Sequence, residues 1–157
     1  VGHNDALRVE APVKVVELRN GAALNAPAVI ELFERAFHGE HFADSTEVRR
    51  WIAERFADDE LAVLVAVSGS EFVGLALLAA WTSPLEPKPW VAHFYAGRAG
   101  VRAPLGAACA AWFRDRGYDA VRTMNFSGAS DKAWERVFKR VAPVQRVAAV
   151  FDFDLRE

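Results

Sequence analysis

Between Leu61 and Val67 the chain reads LAVLVAV, a run of apolar residues with no polar interruption. An extended chain sends successive side chains to opposite faces, so this run places hydrocarbon on both. A strand of that kind belongs in the middle of a sheet covered on each side. The turn residues Ser68-Gly69-Ser70-Glu71 follow, and Phe72 to Trp81 supplies a partner strand that returns beside the first. A hairpin this apolar has to be sandwiched, and its flanking sequence must supply the layers.

Before it, Val13 to Leu18 (VKVVEL) reads as a short strand closed by Arg19-Asn20-Gly21. Asn25 stands in a capping position ahead of Pro27, and Val29, Ile30, Phe33, Ala36 and Phe37 recur at helical spacing. Asp44 and Glu47 have the spacing of a capping box, opening a second helix that buries Val48, Trp51, Ile52 and Phe56. After the hairpin, Pro84, Pro87 and Pro89 make a stiff connection to a strand from Trp90 to Tyr95. A helix striped by Leu105, Ala108, Cys109, Trp112 and Phe113 follows and stops at Gly117. Tyr118 to Asn125 reads as a strand, parallel to the one at Trp90 if the helix between them is a right-handed crossover. Ser130 or Asp131 caps a last helix with the stripe Trp134, Val137, Phe138 and Val141, Pro143 ends it, and Val144 to Leu155 reads as one long final strand. The expected order is β-α-α-β-β-β-α-β-α-β: a mixed central sheet of α+β or α/β class with helices on both faces. It forms one domain over residues 13–157, after a loose arm over 1–12.

Composition narrows the function classes. With 157 residues, 52% of them hydrophobic, the chain can bury a proper core. A net charge of -2 offers no broad attraction to nucleic acid or anionic membrane, so neither is expected as a partner. One cysteine, Cys109, excludes an internal disulfide and a cysteine-based zinc site, and its place on the helix stripe makes it a core residue. No apolar run reaches the ~20 residues of a membrane span and the first residues lack the pattern of a signal peptide, so a soluble, cytoplasmic protein is expected.

The stretch from Lys88 to Gly117 is where ligand chemistry is expected. Gly97 and Gly100 separate its strand from its helix, and Pro104 sits in the helix's first turn. Unpaired N–H groups at that helix start, with Arg98 and Arg102 beside them, can hold an anion such as a phosphate.

The order of elements, the strand–turn–helix centre and the helix after Asn125 together resemble the GNAT superfamily of acyl-CoA-dependent N-acyltransferases from Val13 onward. In that family the central strand leads into a Gln/Arg-x-x-Gly-x-Gly/Ala loop that holds the coenzyme A pyrophosphate. Aligned on Gly117, Gly97 stands at the first position, Gly100 at the first glycine, and Arg102 at the last, small position. The Arg102 side chain either fills the pyrophosphate's space or meets the phosphate with its guanidinium. The resemblance implies acetyl-CoA or another acyl-CoA as cofactor, with Phe94, Tyr95 and Ala96 along the pantetheine arm. It further implies Gly97, Arg98, Gly100, Val101 and Arg102 around the pyrophosphate, and Asn125 at the cofactor arm. Family members often carry a tyrosine on the late helix that protonates the leaving thiolate. Phe138 stands there in this chain and has no hydroxyl.

Acyl transfer to an amine needs a base, and His93 on the central strand, expected to share a face with Val91 and Tyr95, is a candidate, as is Glu86 in the Pro-rich connection. His38, Glu40, His41 and Asp44 cluster between the first two helices, where the resemblance places the acceptor site. Gly39 interrupts their spacing, and no metal is expected. Two readings follow. One is an N-acyltransferase acting on a small-molecule or peptide amine. The other is a catalytically degenerate GNAT-fold module with a structural role, engaging a protein partner or a second copy of itself.

Overall fold

The computed structural model describes residues 11–38, 44–57, 60–80, 88–123, 131–140, 142–144 and 155–156. A five-stranded sheet runs in the order β1 (Val13–Leu18), β2 (Leu61–Ser68), β3 (Glu71–Ala79), β4 (Trp90–Ala96) and β5 (Arg122–Thr123). The first three pairings are antiparallel, and β4–β5 is parallel. Among the described residues four α-helices accompany it: α1 (Pro27–Ala36), α2 (Ser45–Arg55), α3 (Arg102–Asp115) and α4 (Asp131–Lys139). Among the described residues no helix is long and apolar enough to cross a membrane.

The LAVLVAV run sits between β1 and β3, and its alternation divides the core in two. Leu61, Val63 and Val65 pack with Leu75 and Leu77 under α1 and α2, against Val29, Leu32, Phe33 and Ile52. Ala62, Leu64 and Ala66 turn the other way, with Ala76 and Leu78, toward Leu105, Cys109, Trp112 and Phe113 of α3. Phe33 and Phe113 anchor the two layers, and full burial of each contributes about 1.5–3 kcal/mol. The helix α3 ends as expected: Gly117 donates to the Arg114 carbonyl (2.9 Å) and Tyr118 to that of Phe113 (3.1 Å), a Schellman closure.

Several expectations are corrected. Asn25 does not cap α1: residues Gly21–Asn25 form a 3-10 turn capped by Asn20, whose Oδ1 accepts from the Ala23 N–H at 2.9 Å. The α1 helix begins at Pro27 behind an Ala26 N-cap with no side-chain bond, Pro27 having no N–H to satisfy. Leu32 joins its buried face, while Ile30 is only half-buried. Asp44 does cap α2, accepting from the Thr46 N–H at 2.8 Å. Trp51, expected in the core, is instead 37% exposed and lies under the Arg55 guanidinium at 4.2 Å, so α2 buries Ile52 and half-buries Val48 and Phe56.

Of the strand expected over Tyr118–Asn125, the described residues form it only at Arg122–Thr123, Tyr118 to Val121 lying outside the sheet and Met124 and Asn125 outside the described residues. Tyr118 is drawn inward instead, donating its hydroxyl to the Ala80 carbonyl at 2.9 Å and packing edge-on to Phe113. Most of the final strand expected from Val144 to Leu155, and all but the last residues of the N-terminal arm, lie outside the described residues.

Strand β4 and the start of α3 as a candidate functional site

In β4 the register with β3 slips: Leu77 faces His93 and Leu78 faces Val91, leaving Ala92 unopposed. This β-bulge breaks the alternation that would have put Val91, His93 and Tyr95 on one face. Val91 and Phe94 pack toward α3, while His93 and Tyr95 lie on the α1 side. The expectation that His93 shares a face with Val91 is thereby corrected.

β5 pairs with β4 just before this point. Its pairing with β4 covers Trp90–Arg122 and Val91–Thr123, reinforced by the Thr123 hydroxyl donating to the Val91 carbonyl at 3.1 Å. The chain that follows Thr123 lies outside the described residues. Alternate residues of a strand edge present N–H and C=O groups to whatever lies beside it.

Beyond Ala96 the chain turns into α3. Gly97 donates to the Val73 carbonyl at 2.8 Å, which holds the loop against β3. Gly100 has φ +85°, a left-handed conformation that glycine adopts at least cost, and there is open space on the side where a Cβ would stand. Val101 is fully buried and α3 starts at Arg102, whose side chain is exposed. The Arg102 and Ala103 N–H groups lie in the first turn, where no preceding helical carbonyl is available, and Pro104 has none to offer. Arg98 behaves differently from Arg102. Its guanidinium donates to the Ser68 hydroxyl and lies 3.5 Å from a Glu71 carboxylate oxygen, both on the β2–β3 hairpin. On α4, Phe138 is edge-on to Phe94 with ring centroids 5.5 Å apart.

On the α1 side, the His93 Nε2 is 2.6 Å from the Ala36 carbonyl, and its ring stacks on Phe37 at 4.1 Å between centroids. A carbonyl only accepts, so Nε2 carries the proton and the lone pair of the neutral ring is on Nδ1. Burial holds the His93 pKa below the ordinary 6.5, partly opposed by the Ala36 bond. Beside this contact lies an open cleft of about 550 Å³ lined by Glu31, Glu34, Arg35, His38 and Tyr95. Arg35 is oriented by donating to the Phe72 carbonyl at 2.9 Å.

The structure thus places Phe94 and Ala96 on β4, Gly97, Gly100 and Val101 in the loop that follows, and Arg102 at the start of α3. It sends Tyr95 to the α1 cleft and Arg98 to the hairpin. Glu86, Asn125, Glu40 and His41 lie outside the described residues. Among the described residues no group of His, Cys, Asp and Glu could hold a metal. Cys109 is a packing residue whose thiol is pushed up to about 12 by burial. Sequence reasoning missed Glu31, Glu34 and Arg35. Their spacing with His38 is a polar helical stripe beside the apolar one, a signal that reads first as a solvated face.

No protein-family model matches the sequence, and no curated protein matches it. Solved structures do. An aminoglycoside acetyltransferase from an uncultured soil metagenomic sample, solved with trehalose, superposes with a TM-score of 0.64 at 18% identity, covering 92% of this chain and 97% of its own. Aminoglycoside N-acetyltransferase AAC(6')-Iy in complex with CoA gives 0.67 at 14% identity over 95% and 98%. A predicted acetyltransferase from Clostridium acetobutylicum with acetyl-CoA gives 0.64 at 12% identity over 91% and 96%. This chain shares the fold of these acetyltransferases, a GNAT-like α+β fold.

Proposed function

We propose that the protein transfers an acetyl or other acyl group from acyl-CoA to an amine. The observation that carries this reading is the β4 bulge at Ala92, beyond which the strand leads into a helix start whose one bulky residue, Arg102, is exposed. The solved relatives with CoA and acetyl-CoA support the donor, and those that act on aminoglycosides support an amine acceptor.

The residues present fit the donor. The β4 edge over Ala92–Ala96 pairs with the amide groups of the pantetheine arm as a further strand would. The Arg102 and Ala103 N–H groups, with the open side of Gly100, receive the pyrophosphate, and Arg102 adds positive charge from the solvent side. Acyl-CoA supplies a thioester carbonyl activated toward amines. An N–H of β4 near the bulge polarises that carbonyl oxygen, and the protein positions the reactants.

The amine arrives through the cleft lined by Glu31, Glu34, His38 and Tyr95, whose carboxylates attract its cationic form. His93, kept neutral by burial and oriented by Ala36, takes the ammonium proton at Nδ1, directly or through one water. The amine nitrogen forms its bond to the carbonyl carbon, the carbon–sulfur bond breaks, and sulfur leaves with the electron pair. Phe138 offers no proton there, so the nitrogen's second proton, shed as the amide forms, passes through water to the leaving thiolate.

Calorimetry with acetyl-CoA, paired with an assay of thiol release against a panel of amines, tests this reading. Binding together with amine-dependent release supports it. Absence of binding at about 1 mM acetyl-CoA contradicts it and favours a non-catalytic module, the reading to which the Phe138–Phe94 packing lends support.

A further inference from the structure

The loop between β4 and α3 is tied at both ends to the β2–β3 hairpin. At one end, Ser68 is a buried polar residue only 6% exposed, and its hydroxyl is fully used. It donates to the Ala11 carbonyl at 2.7 Å and accepts from Arg98. The other arm of the Arg98 fork lies 3.5 Å from Glu71. At the far end, Val101 packs so closely on Gly74 that a Cβ there would come within 2.7 Å of the Val101 Cγ1. Between these ties Ala99 and Gly100 are exposed and bridge to the helix start.

An arginine serving as a phosphate ligand keeps its fork available. The Arg98 donors are instead committed to Ser68 and Glu71, and its Nε is buried without a partner, a cost that the hairpin contacts offset. We infer that Arg98, held by Ser68 and Glu71, is a positioning residue that sets the Gly97–Ala103 backbone in its anion-receiving shape. Residues of the hairpin, as far as 30 positions from Arg98 in sequence, thereby control affinity for the pyrophosphate of an acyl-CoA. The inference rests on the acyl-CoA reading for its ligand, and on the loop contacts alone for its geometry.

The sign of one substitution separates this role from direct phosphate binding. If Glu71 holds Arg98 in place, its loss loosens the loop and weakens CoA. If Glu71 merely neutralises a phosphate ligand, its loss frees the guanidinium and strengthens CoA.

The test is calorimetry of the full chain with CoA and with pantetheine, which lacks the pyrophosphate. Arg98→Ala is expected to raise the Kd for CoA about ten-fold, the loss of hydrogen bonds to a charged group. Glu71→Gln is expected to raise it about three-fold, as for an exposed ion pair. The double variant is expected to be no weaker than Arg98→Ala alone, because both act through one contact. Arg98→Lys should fall between wild type and Arg98→Ala, and Kd for pantetheine should stay unchanged throughout. An unchanged Kd for CoA in Arg98→Ala, or a tighter one in Glu71→Gln, overturns the inference. Should Arg98→Ala fail to fold, Glu71→Gln at a side chain 73% exposed carries the same decision. If the wild-type protein does not bind CoA, the acyl-CoA reading falls, and amide hydrogen exchange without ligand then decides the geometry. Faster exchange over 97–103 in Glu71→Gln, with α2 unaffected, supports the positioning role; equal exchange overturns it.

Discussion

The His93 Nε2 lies 2.6 Å from the Ala36 carbonyl, joining the bulged half of β4 to the last turn of α1. That bond fixes the tautomer of a buried imidazole at the boundary between β4 and the α1 cleft. A pH dependence follows from it.

Burial holds the folded-state pKa of His93 below 6.5, so below that pH the unfolded chain takes up a proton that the folded protein resists. This contribution is present at neutral pH and is lost as pH falls from 6.5 through the folded-state value. Thermal unfolding should show Tm falling with acid more steeply in wild type than in His93→Gln. The rate of acyl transfer should rise with pH to a plateau whose inflection lies below 6.5, and His93→Gln should lower kcat about a hundred-fold. Parallel Tm–pH curves for the two proteins would refute the stability part of this prediction.

Gly74 and Val101 test how tightly the loop into α3 is seated. A Cβ at position 74 meets the Val101 Cγ1 at 2.7 Å and the Tyr95 carbonyl at 3.0 Å. Gly74→Ala should therefore destabilise by about 1–3 kcal/mol in urea unfolding. Adding Val101→Ala removes one of the two clashes, so the double variant should lose less than the sum of the two single ones. Strict additivity would show that the two positions do not share this contact.

Gly100 separates conformation from packing. Its φ of +85° disfavours any side chain, yet nothing lies within 4 Å of the Cβ position. Gly100→Ala should cost about 1–2 kcal/mol of stability and also weaken acetyl-CoA binding. Weaker binding with unchanged stability would mean that the φ strain is not felt.

Cys109 should behave as core. Its thiol is buried and pushed up to about 12, so at pH 8 an aromatic disulfide reagent should react only as fast as the protein opens. Denaturant should accelerate labelling in step with unfolding. Rapid labelling of the native protein would contradict the packing of α3.

Much of this architecture is legible in the residues. LAVLVAV lies between two strands because its alternate residues feed both core layers, and α3 ends at Gly117 because the closing bonds form there. The bulge at Ala92 is not legible: Trp-Val-Ala-His-Phe reads as plain alternation, and the slip arises from how β3 and β4 are paired. Arg98 and Arg102 look alike beside Gly100, but one finds partners on a distant hairpin and the other faces solvent. Trp51 read as core by spacing alone, whereas α2 turns it outward under Arg55. For the bulge and for Arg98, a contact between residues far apart in sequence decides the outcome, and local pattern carries no trace of it.

The central claim is that acyl-CoA lies along β4 beyond the Ala92 bulge and ends at the start of α3. An NMR titration of backbone amides with acetyl-CoA tests it directly. The account predicts shifts concentrated in Ala92–Ala96 and in Gly97–Ala103, with α2 and β1 unaffected. Amides that stay still at about 1 mM acetyl-CoA, or shifts centred elsewhere, would contradict it.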